Sequence, residues 1–138
     1  MSQRRALATA AAMLLLAGCQ AQRPASPAAR YSVDFRGAAK SCSAPKELNA
    51  ASGRTTEAAL AVVNDGGWCA MTLDNGGKPY DAGLLTVPPA HGKVYIHKVG
   101  DDTRIDYTPD SGFVGDDQFT LKLVPTDAVL AVKATVSR

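Results

Sequence analysis

The sequence lacks the common catalytic motifs. It has no Gly-x-Ser-x-Gly elbow, no His-Glu-x-x-His zinc motif, no phosphate-binding loop and no dinucleotide fingerprint. Only two glutamates occur, Glu47 and Glu57, and neither is paired with another acid at the end of a predicted strand. A catalytic site assembled from distant residues would leave no such trace, but nothing points to one. We therefore predict a protein that is not an enzyme and uses no cofactor.

Long apolar runs are also missing. Residues 6–16 form the one clear apolar run, which is about half of the roughly 20 residues that a membrane-spanning helix needs. Arg4 and Arg5 precede this run and small residues follow it, as in a secretory signal peptide. We predict that residues 1–18 are removed. The loss of two arginines lowers Lys+Arg from 15 to 13, equal to the 13 Asp+Glu, so composition does not favour nucleic-acid binding.

The run ends in Leu16-Ala17-Gly18-Cys19, which resembles the lipobox of bacterial lipoproteins. The resemblance implies cleavage before Cys19 and acylation of that cysteine, palmitate included; the alternative is an ordinary secretory signal. Several acyl chains on one residue exceed what stable membrane anchoring requires. Gln20 stands where aspartate marks inner-membrane lipoproteins, so the family's sorting rule implies the outer membrane, on its periplasmic side rather than the cell surface. Residues 19–30 contain Pro24 and Pro27 without apolar periodicity, and we predict a flexible tether.

Once Cys19 is assigned to the lipid, two cysteines remain in an oxidising compartment. Cys42 and Cys69 form an even pair, and we predict a disulfide between them. A metal pair or a redox thiol is the alternative, but there is no Cys-x-x-Cys spacing and no histidine near either cysteine in sequence.

Residues 31–138 are enough for one small domain, and turn chemistry organises it. Residues that alternate between apolar and polar flank a stiff connection at residues 109–118, where Pro109 fixes one φ and Gly112 and Gly115 can adopt positive φ. We expect Phe113 to fold back onto the core. The pattern formed by Tyr107, Thr108, Pro109, Gly112, Phe113, Gly115, Asp117 and Phe119 resembles the turn signature of bacterial immunoglobulin-like and cadherin-like domains. Residues 88–94, in which Gly92 opens a strand, extend the resemblance, which implies an immunoglobulin-like fold.

The remaining periodicity predicts about seven or eight short strands with turns every eight to twelve residues, the pattern of a single antiparallel immunoglobulin-like β-sandwich. Residues 38–53 lack periodicity and are predicted to be a long loop fastened by Cys42. Residues 55–63 mix helix-favouring alanines with β-branched residues, and we predict a strand followed by a hairpin turn at residues 64–67. The other predicted strands are residues 31–36, 68–73, 84–87, 93–99, 103–108, 119–124 and 129–136.

Four residues are candidates for contact with a partner, because parity or loop position leaves them uncommitted to the core: Trp68, Tyr80, Tyr95 and His97. Trp68 would face outward if Cys69 faces the core; the alternative is that Trp68 packs under the loop at residues 38–53.

Two groups of residues, two histidines and a run of aspartates, could suggest a metal site. His91 and His97 lie on different predicted elements, and we expect surface histidines. Six aspartates could suggest calcium, which cadherin-like relatives bind, but turn residues that accept backbone N–H bonds are the favoured interpretation. They are Asp101, Asp102, Asp106, Asp110, Asp116 and Asp117. We predict no metal.

Together these features predict a lipid-anchored envelope protein whose immunoglobulin-like domain is a non-catalytic binding or structural module. Its partners would be the membrane, through the lipid, and an envelope protein or glycan. The alternatives are a surface-exposed adhesin, and an inhibitor or regulator of a periplasmic hydrolase that acts through a loop such as residues 74–81.

Overall fold

The computed structural model describes residues 37–138. The predicted signal peptide, Cys19, the tether and the first predicted strand lie outside the described residues. Within residues 37–138 there is no helix long and apolar enough to cross a membrane.

The described chain is a sandwich of two β-sheets, which confirms the all-β prediction. It has nine strands, namely β1 (Cys42–Ser43), β2 (Leu48–Asn49), β3 (Thr55–Val63), β4 (Cys69–Asp74), β5 (Ala82–Val87), β6 (Gly92–Val99), β7 (Asp102–Pro109), β8 (Gly115–Val124) and β9 (Ala128–Ser137). One sheet has the order β1-β3-β9-β8-β5 and the other β2-β4-β7-β6.

Two features differ from the predicted seven-stranded antiparallel sandwich. The extra strands β1 and β2 have two residues each and lie in the predicted loop, where such short pairings leave no periodicity in the sequence. The pairs β2–β4 and β3–β9 are parallel, so both sheets are mixed. Strand direction depends on which strands become neighbours in space, and a period of two carries no information about it.

The core lies between the sheets and follows the predicted alternation. On β4, Cys69, Met71 and Leu73 are at most 1% exposed. Ile105 and Tyr107 from β7 complete this side of the core, and the five-stranded sheet covers it with Leu60, Val62, Phe119, Leu121, Leu123, Leu130, Val132, Ala134 and Val136. Tyr107 and Phe119 stack across the two sheets, with ring centroids 5.8 Å apart.

The turn at residues 64–67 connects the two sheets and is not a hairpin, so that prediction is wrong. β3 belongs to the five-stranded sheet and β4 to the four-stranded one. Asp65 accepts hydrogen bonds from the backbone N–H groups of Lys40 and Gly67, which lower the pKa of its carboxyl. These bonds stabilise the turn, since β3 and β4 belong to different sheets and do not pair with each other.

The disulfide between Cys42 and Cys69 is confirmed, with Cα atoms 5.2 Å apart. It joins β1 of the five-stranded sheet to β4 of the four-stranded sheet. Because it links strands of opposite layers, it restrains the separation of the two sheets at this end of the sandwich.

Candidate functional site

The outer surface of the four-stranded sheet carries a compact group of aromatic and charged side chains. We call Trp68, Tyr95, His97, Arg104 and Asp106 the aromatic face. On β7, Ile105 and Tyr107 point into the core, so Arg104 and Asp106 point away from it. On β6, His97 is paired with Arg104, and Tyr95 with Asp106. Directly paired residues share a face of the sheet, so these four side chains are neighbours on one surface.

Asp106 is the centre of the aromatic face. The side chain of Asp106 is fully buried and that of Arg104 is 19% exposed. The Nε and Nη2 atoms of Arg104 donate hydrogen bonds of 2.7 and 3.0 Å to its two carboxylate oxygens. The Nε2 atom of His97 lies 2.9 Å from Oδ2 of the same carboxylate. Bidentate pairing with arginine compensates a buried carboxylate for its lost hydration, so this group fixes the positions of three side chains.

Trp68 covers the arginine. The Cζ atom of Arg104 lies 4.1 Å from the centroid of the indole ring, which is cation–π geometry. Ala70 follows Trp68 by two residues, on the same face, and is paired with Asp106. Next to Asp106, this surface of β4 therefore carries only a methyl group. The indole N–H of Trp68 is buried and has no hydrogen-bond acceptor among the described residues. The indole therefore interacts with its neighbours through the face of its ring rather than through its N–H group.

Trp68 is also held by its backbone. Its N–H donates to the carbonyl of Gly37, and its carbonyl accepts from the N–H of Ala39, at 3.1 and 2.9 Å. These bonds attach the start of the predicted loop to the residue that precedes β4. The loop thus pairs with Trp68 through backbone atoms, while the ring lies on Arg104. Trp68 is half-buried. This lies between the two predictions, a ring that faces outward and a ring packed under the loop at residues 38–53.

Tyr95 forms the most exposed part of the aromatic face. It is 37% exposed, and its ring lies against His97, with ring centroids 4.7 Å apart and planes inclined by 32°. His97 in turn contacts Asp106, so the phenol ring rests on a rigid support. A half-exposed tyrosine and tryptophan beside an arginine make up the composition that dominates binding hot spots.

Two of the four candidate residues are buried, contrary to the prediction. Tyr80 is 3% exposed: its N–H donates to Oγ1 of Thr103 at 2.9 Å, and burial raises the pKa of its phenol. His97 is 7% exposed and is not the expected surface histidine, because its ring lies on the sheet in hydrogen-bond contact with the buried carboxylate of Asp106. Trp68, Tyr95 and His97 nonetheless meet on one face, and Tyr80 does not join them. Partner contact by any of them stays a prediction.

Arg104 and Asp106 were missed as site residues. Asp106 is grouped above with the acidic turn residues, and Arg104 is not named there. The available signal was parity: both residues alternate with Ile105 and Tyr107 on a predicted strand, which places them on one face. The pairing of β7 with β4 and β6, which surrounds them with aromatic rings, lay beyond that pattern.

A second polar centre lies at the end of the sandwich where the turn signature falls. Oδ1 of Asp117 accepts hydrogen bonds from the N–H groups of Ala90 and Gln118, and Oδ2 accepts them from the N–H of His91 and the hydroxyl of Tyr107. Burial raises the pKa of Asp117, but these four bonds outweigh burial and hold it below its usual value. Burial and the bond to Asp117 raise the pKa of Tyr107. Asp117 therefore ties β7 and β8 to the segment before β6.

The other residues of the signature also have structural positions. Pro109 ends β7, while Gly112 and Gly115 have φ values of 80° and 138°, as the turn prediction requires. Phe113 packs partly against the core and stacks on His91, with ring centroids 4.3 Å apart. The N–H group of Phe113 donates to the carbonyl of Asp110 at 3.1 Å. This stretch connects β7 of the four-stranded sheet to β8 of the five-stranded sheet.

The acidic residues do not form one site. Asp106 and Asp117 are buried at separate places, and Asp116 accepts a hydrogen bond from Thr135 at 3.0 Å. Acceptance of backbone N–H groups is confirmed for Asp117, but the predicted turn position is wrong, because Asp117 lies on β8. Asp106 lies on β7 and pairs with side chains. Among residues 37–138, no group of three or more His, Cys, Asp or Glu side chains could hold a metal ion.

Comparisons with known proteins assign no family. No family model matches the chain, and no curated protein matches it. Among solved structures, the chain is similar to a cysteine protease inhibitor, EhICP2, from Entamoeba histolytica, with 13% identity, 66% of this chain and 93% of that chain covered, and a TM-score of 0.33. It is also similar to PbICP-C in complex with falcipain-2, with 16% identity, 67% and 98% coverage and a TM-score of 0.31. Similarity at this level carries no functional assignment.

Proposed function

We propose that the protein is a lipid-anchored component of the bacterial cell envelope, and that its β-sandwich is a non-catalytic module that binds another envelope protein through the aromatic face. The anchor rests on the lipobox Leu16-Ala17-Gly18-Cys19, and the outer membrane on Gln20. The observation that carries the binding role is the Arg104–Asp106–His97 group, centred on a buried carboxylate, which supports Trp68 and Tyr95 on an outer sheet surface.

Rigidity is the first argument. Binding restricts side chains, and each rotamer-rich side chain fixed at an interface costs about 0.5–1.5 kcal/mol. Trp68 is held by two backbone bonds and by Arg104, and Tyr95 lies against His97. Their rings are already placed in the free protein, so binding to them loses little conformational entropy.

The chemistry of the face favours a protein over a glycan. Sugars commonly stack on an open aromatic face, and the guanidinium of Arg104 already covers one face of Trp68. The exposed tyrosine, the half-buried tryptophan and the partly exposed arginine resemble a protein hot spot instead. The His97–Asp106 pair has a structural role here, because Arg104 neutralises the same carboxylate.

Site-specific photo-crosslinking in cells tests the proposal. A benzophenone amino acid replaces Tyr95 in one strain and Lys133 in another; Lys133 is exposed on β9 of the opposite sheet. We expect one envelope protein to be captured from position 95 and not from position 133. Capture from both positions alike, or of a glycan only, would contradict the assignment of the face.

The anchor is tested separately with Cys19→Ser, which is exported without acylation. We expect this variant to leave the membrane fraction and to lose the crosslink from position 95, because the tether no longer holds the domain near its partner. Membrane retention of Cys19→Ser would refute the lipid anchor and leave the aromatic face untouched. No specific observation favours the adhesin or hydrolase-inhibitor alternatives.

A further inference from the structure

One edge of the five-stranded sheet is apolar and open. Among residues 37–138, β5 (Ala82–Val87) is the last strand of that sheet and its one ladder partner is β8. Three of the six exposed large hydrophobic residues of the described chain belong to it: Leu84 is 53% exposed, Leu85 38% and Val87 47%. An edge strand presents unpaired N–H and C=O groups, so this edge offers backbone hydrogen bonds together with apolar side chains.

The other sheet edges of the described residues are protected. β1 and β2 have two residues each, too short to template another strand. β6 is long, but it carries Lys93 and Lys98, and charged side chains are a common device against edge pairing. β5 contains no charged residue. Its bulge between Leu85 and Val87 shortens the regular edge without covering it.

The exposed apolar residues of β5 lie on both sides of the strand. Leu84 pairs with Lys122 and faces outward, whereas Leu85 pairs with Leu121, which is fully buried in the core. At Gly83 a Cβ atom would lie 2.8 Å from Cγ2 of Ile96, so the two sheets meet closely there. The two sheets are therefore in contact at Gly83. The exposed apolar surface that follows is formed by Leu84, Leu85 and Val87 of β5.

We propose that the β5 edge is a self-association surface, on which a second copy of this chain adds its own β5 in antiparallel orientation and joins two five-stranded sheets. A second copy is favoured because an uncharged apolar strand is complementary to itself, with no charge to select an oppositely charged partner. The bounding residues set the direction. Asp81 precedes the strand, and parallel pairing would bring two Asp81 carboxylates together, whereas antiparallel pairing separates them.

Pairing has a defined length and two expected registers. Pro88 and Pro89 follow β5 and lack N–H donors, so the ladder ends at Val87. A two-fold axis makes the interface isologous. An antiparallel pair about this axis brings one residue opposite its own copy, and centring the two strands on each other makes that residue Leu84 or Leu85.

The expected dimer is weak. Six residues from each copy form a contact below the area of a standard stable interface, which places it in the transient class. Its detection therefore needs high protein concentration or confinement on a membrane. This inference does not depend on the aromatic face, which lies on the other sheet.

Sedimentation velocity of the full chain in detergent, from low micromolar to near-millimolar concentration, tests the inference. We expect a reversible monomer–dimer equilibrium that Leu84→Lys shifts at least tenfold toward monomer. Val99→Lys is the matched control: Val99 is 42% exposed on the β6 edge and should not alter the equilibrium. Circular dichroism verifies that both variants are folded.

Cysteine crosslinking gives an independent readout. Leu84→Cys or Leu85→Cys should form a disulfide-linked dimer in oxidised cells, above the background of the unsubstituted chain, and Val99→Cys should not. Four results would each overturn the inference. They are a monomer throughout the concentration range, equal effects of the two lysine variants, higher assemblies that Leu84→Lys does not dissolve, and capture of a different protein by both β5 cysteines.

Discussion

Asp117→Asn is expected to destabilise the sandwich strongly and to change its response to acid. Asp117 is 7% exposed and accepts four hydrogen bonds, two on each carboxylate oxygen, at distances of 2.9 to 3.0 Å. The bonds reach three parts of the chain: the segment before β6, the Tyr107 hydroxyl on β7, and the backbone of β8. An asparagine has nearly the same shape but only one acceptor oxygen.

The magnitude follows from the bonds lost. The amide oxygen can keep two of the four bonds, while the amide NH₂ is turned toward two donors. Each hydrogen bond to a charged group contributes about 1.5 kcal/mol at the low end, so we expect a loss of about 3 kcal/mol in the free energy of unfolding. Tyr107→Phe removes one bond and should cost about 1.5 kcal/mol. The double variant should lose less than the sum, since both substitutions remove the Tyr107–Asp117 bond.

The pH dependence has a definite sign. The folded pKa of Asp117 lies below its usual value, so the unfolded chain binds a proton more readily. The stabilisation is present at pH values above about 4, the unfolded pKa, and is lost as pH falls through the folded pKa. Wild type should therefore lose more stability than Asp117→Asn between pH 5 and pH 2.5.

Urea unfolding at pH 7, 5 and 2.5, followed by tryptophan fluorescence, measures both effects. Asp116→Asn is the control: Asp116 is the exposed neighbour on β8, and we expect a change within about 0.5 kcal/mol. The reasoning would be refuted if Asp117→Asn cost less than about 1 kcal/mol at pH 7, or if its acid sensitivity equalled that of wild type.

Three further perturbations address other contacts. Replacing both Cys42 and Cys69 with alanine opens a link spanning 27 residues, and the chain-entropy model predicts a loss of about 3.5 kcal/mol in urea unfolding. Gly92→Ala places a Cβ atom 2.5 Å from Cε2 of Tyr107, and the required shift should cost about 1–3 kcal/mol and lower the melting temperature. Asn64→Ala removes bonds of 2.8 and 2.9 Å to the carbonyls of Asp110 and Phe113, with an expected loss of about 1 kcal/mol.

Each of these predictions has a result that contradicts it. If the alanine pair has the urea midpoint of the wild type, and reductant does not change the wild-type midpoint, the disulfide does not restrain unfolding. A wild-type melting temperature for Gly92→Ala would show that Tyr107 yields freely. Full stability of Asn64→Ala, matched by Asn64→Asp, which cannot donate, would assign those carbonyls to solvent.

The sequence by itself determined the seven longer strands, β3 to β9, and the alternation of their side chains. The predicted strands 68–73, 119–124 and 129–136 coincide with most of β4, β8 and β9. On these strands Cys69, Phe119 and Leu130 are buried, because side chains of a strand alternate between its faces. The proline and the glycines of residues 107–119 correctly predicted a turn, since their φ preferences are local. The disulfide followed from an even cysteine count.

Only the tertiary structure decided which strands are neighbours, and the aromatic face depends on that. Trp68, Tyr95 and Arg104 are up to 36 positions apart in sequence and meet because β4 and β6 flank β7. The alternation along each strand predicts the face on which each of these residues lies. It does not predict the burial of His97, which depends on contact with Asp106 on the adjacent strand. The mixed sheets and the open β5 edge likewise follow from strand order, a long-range property that no local period encodes.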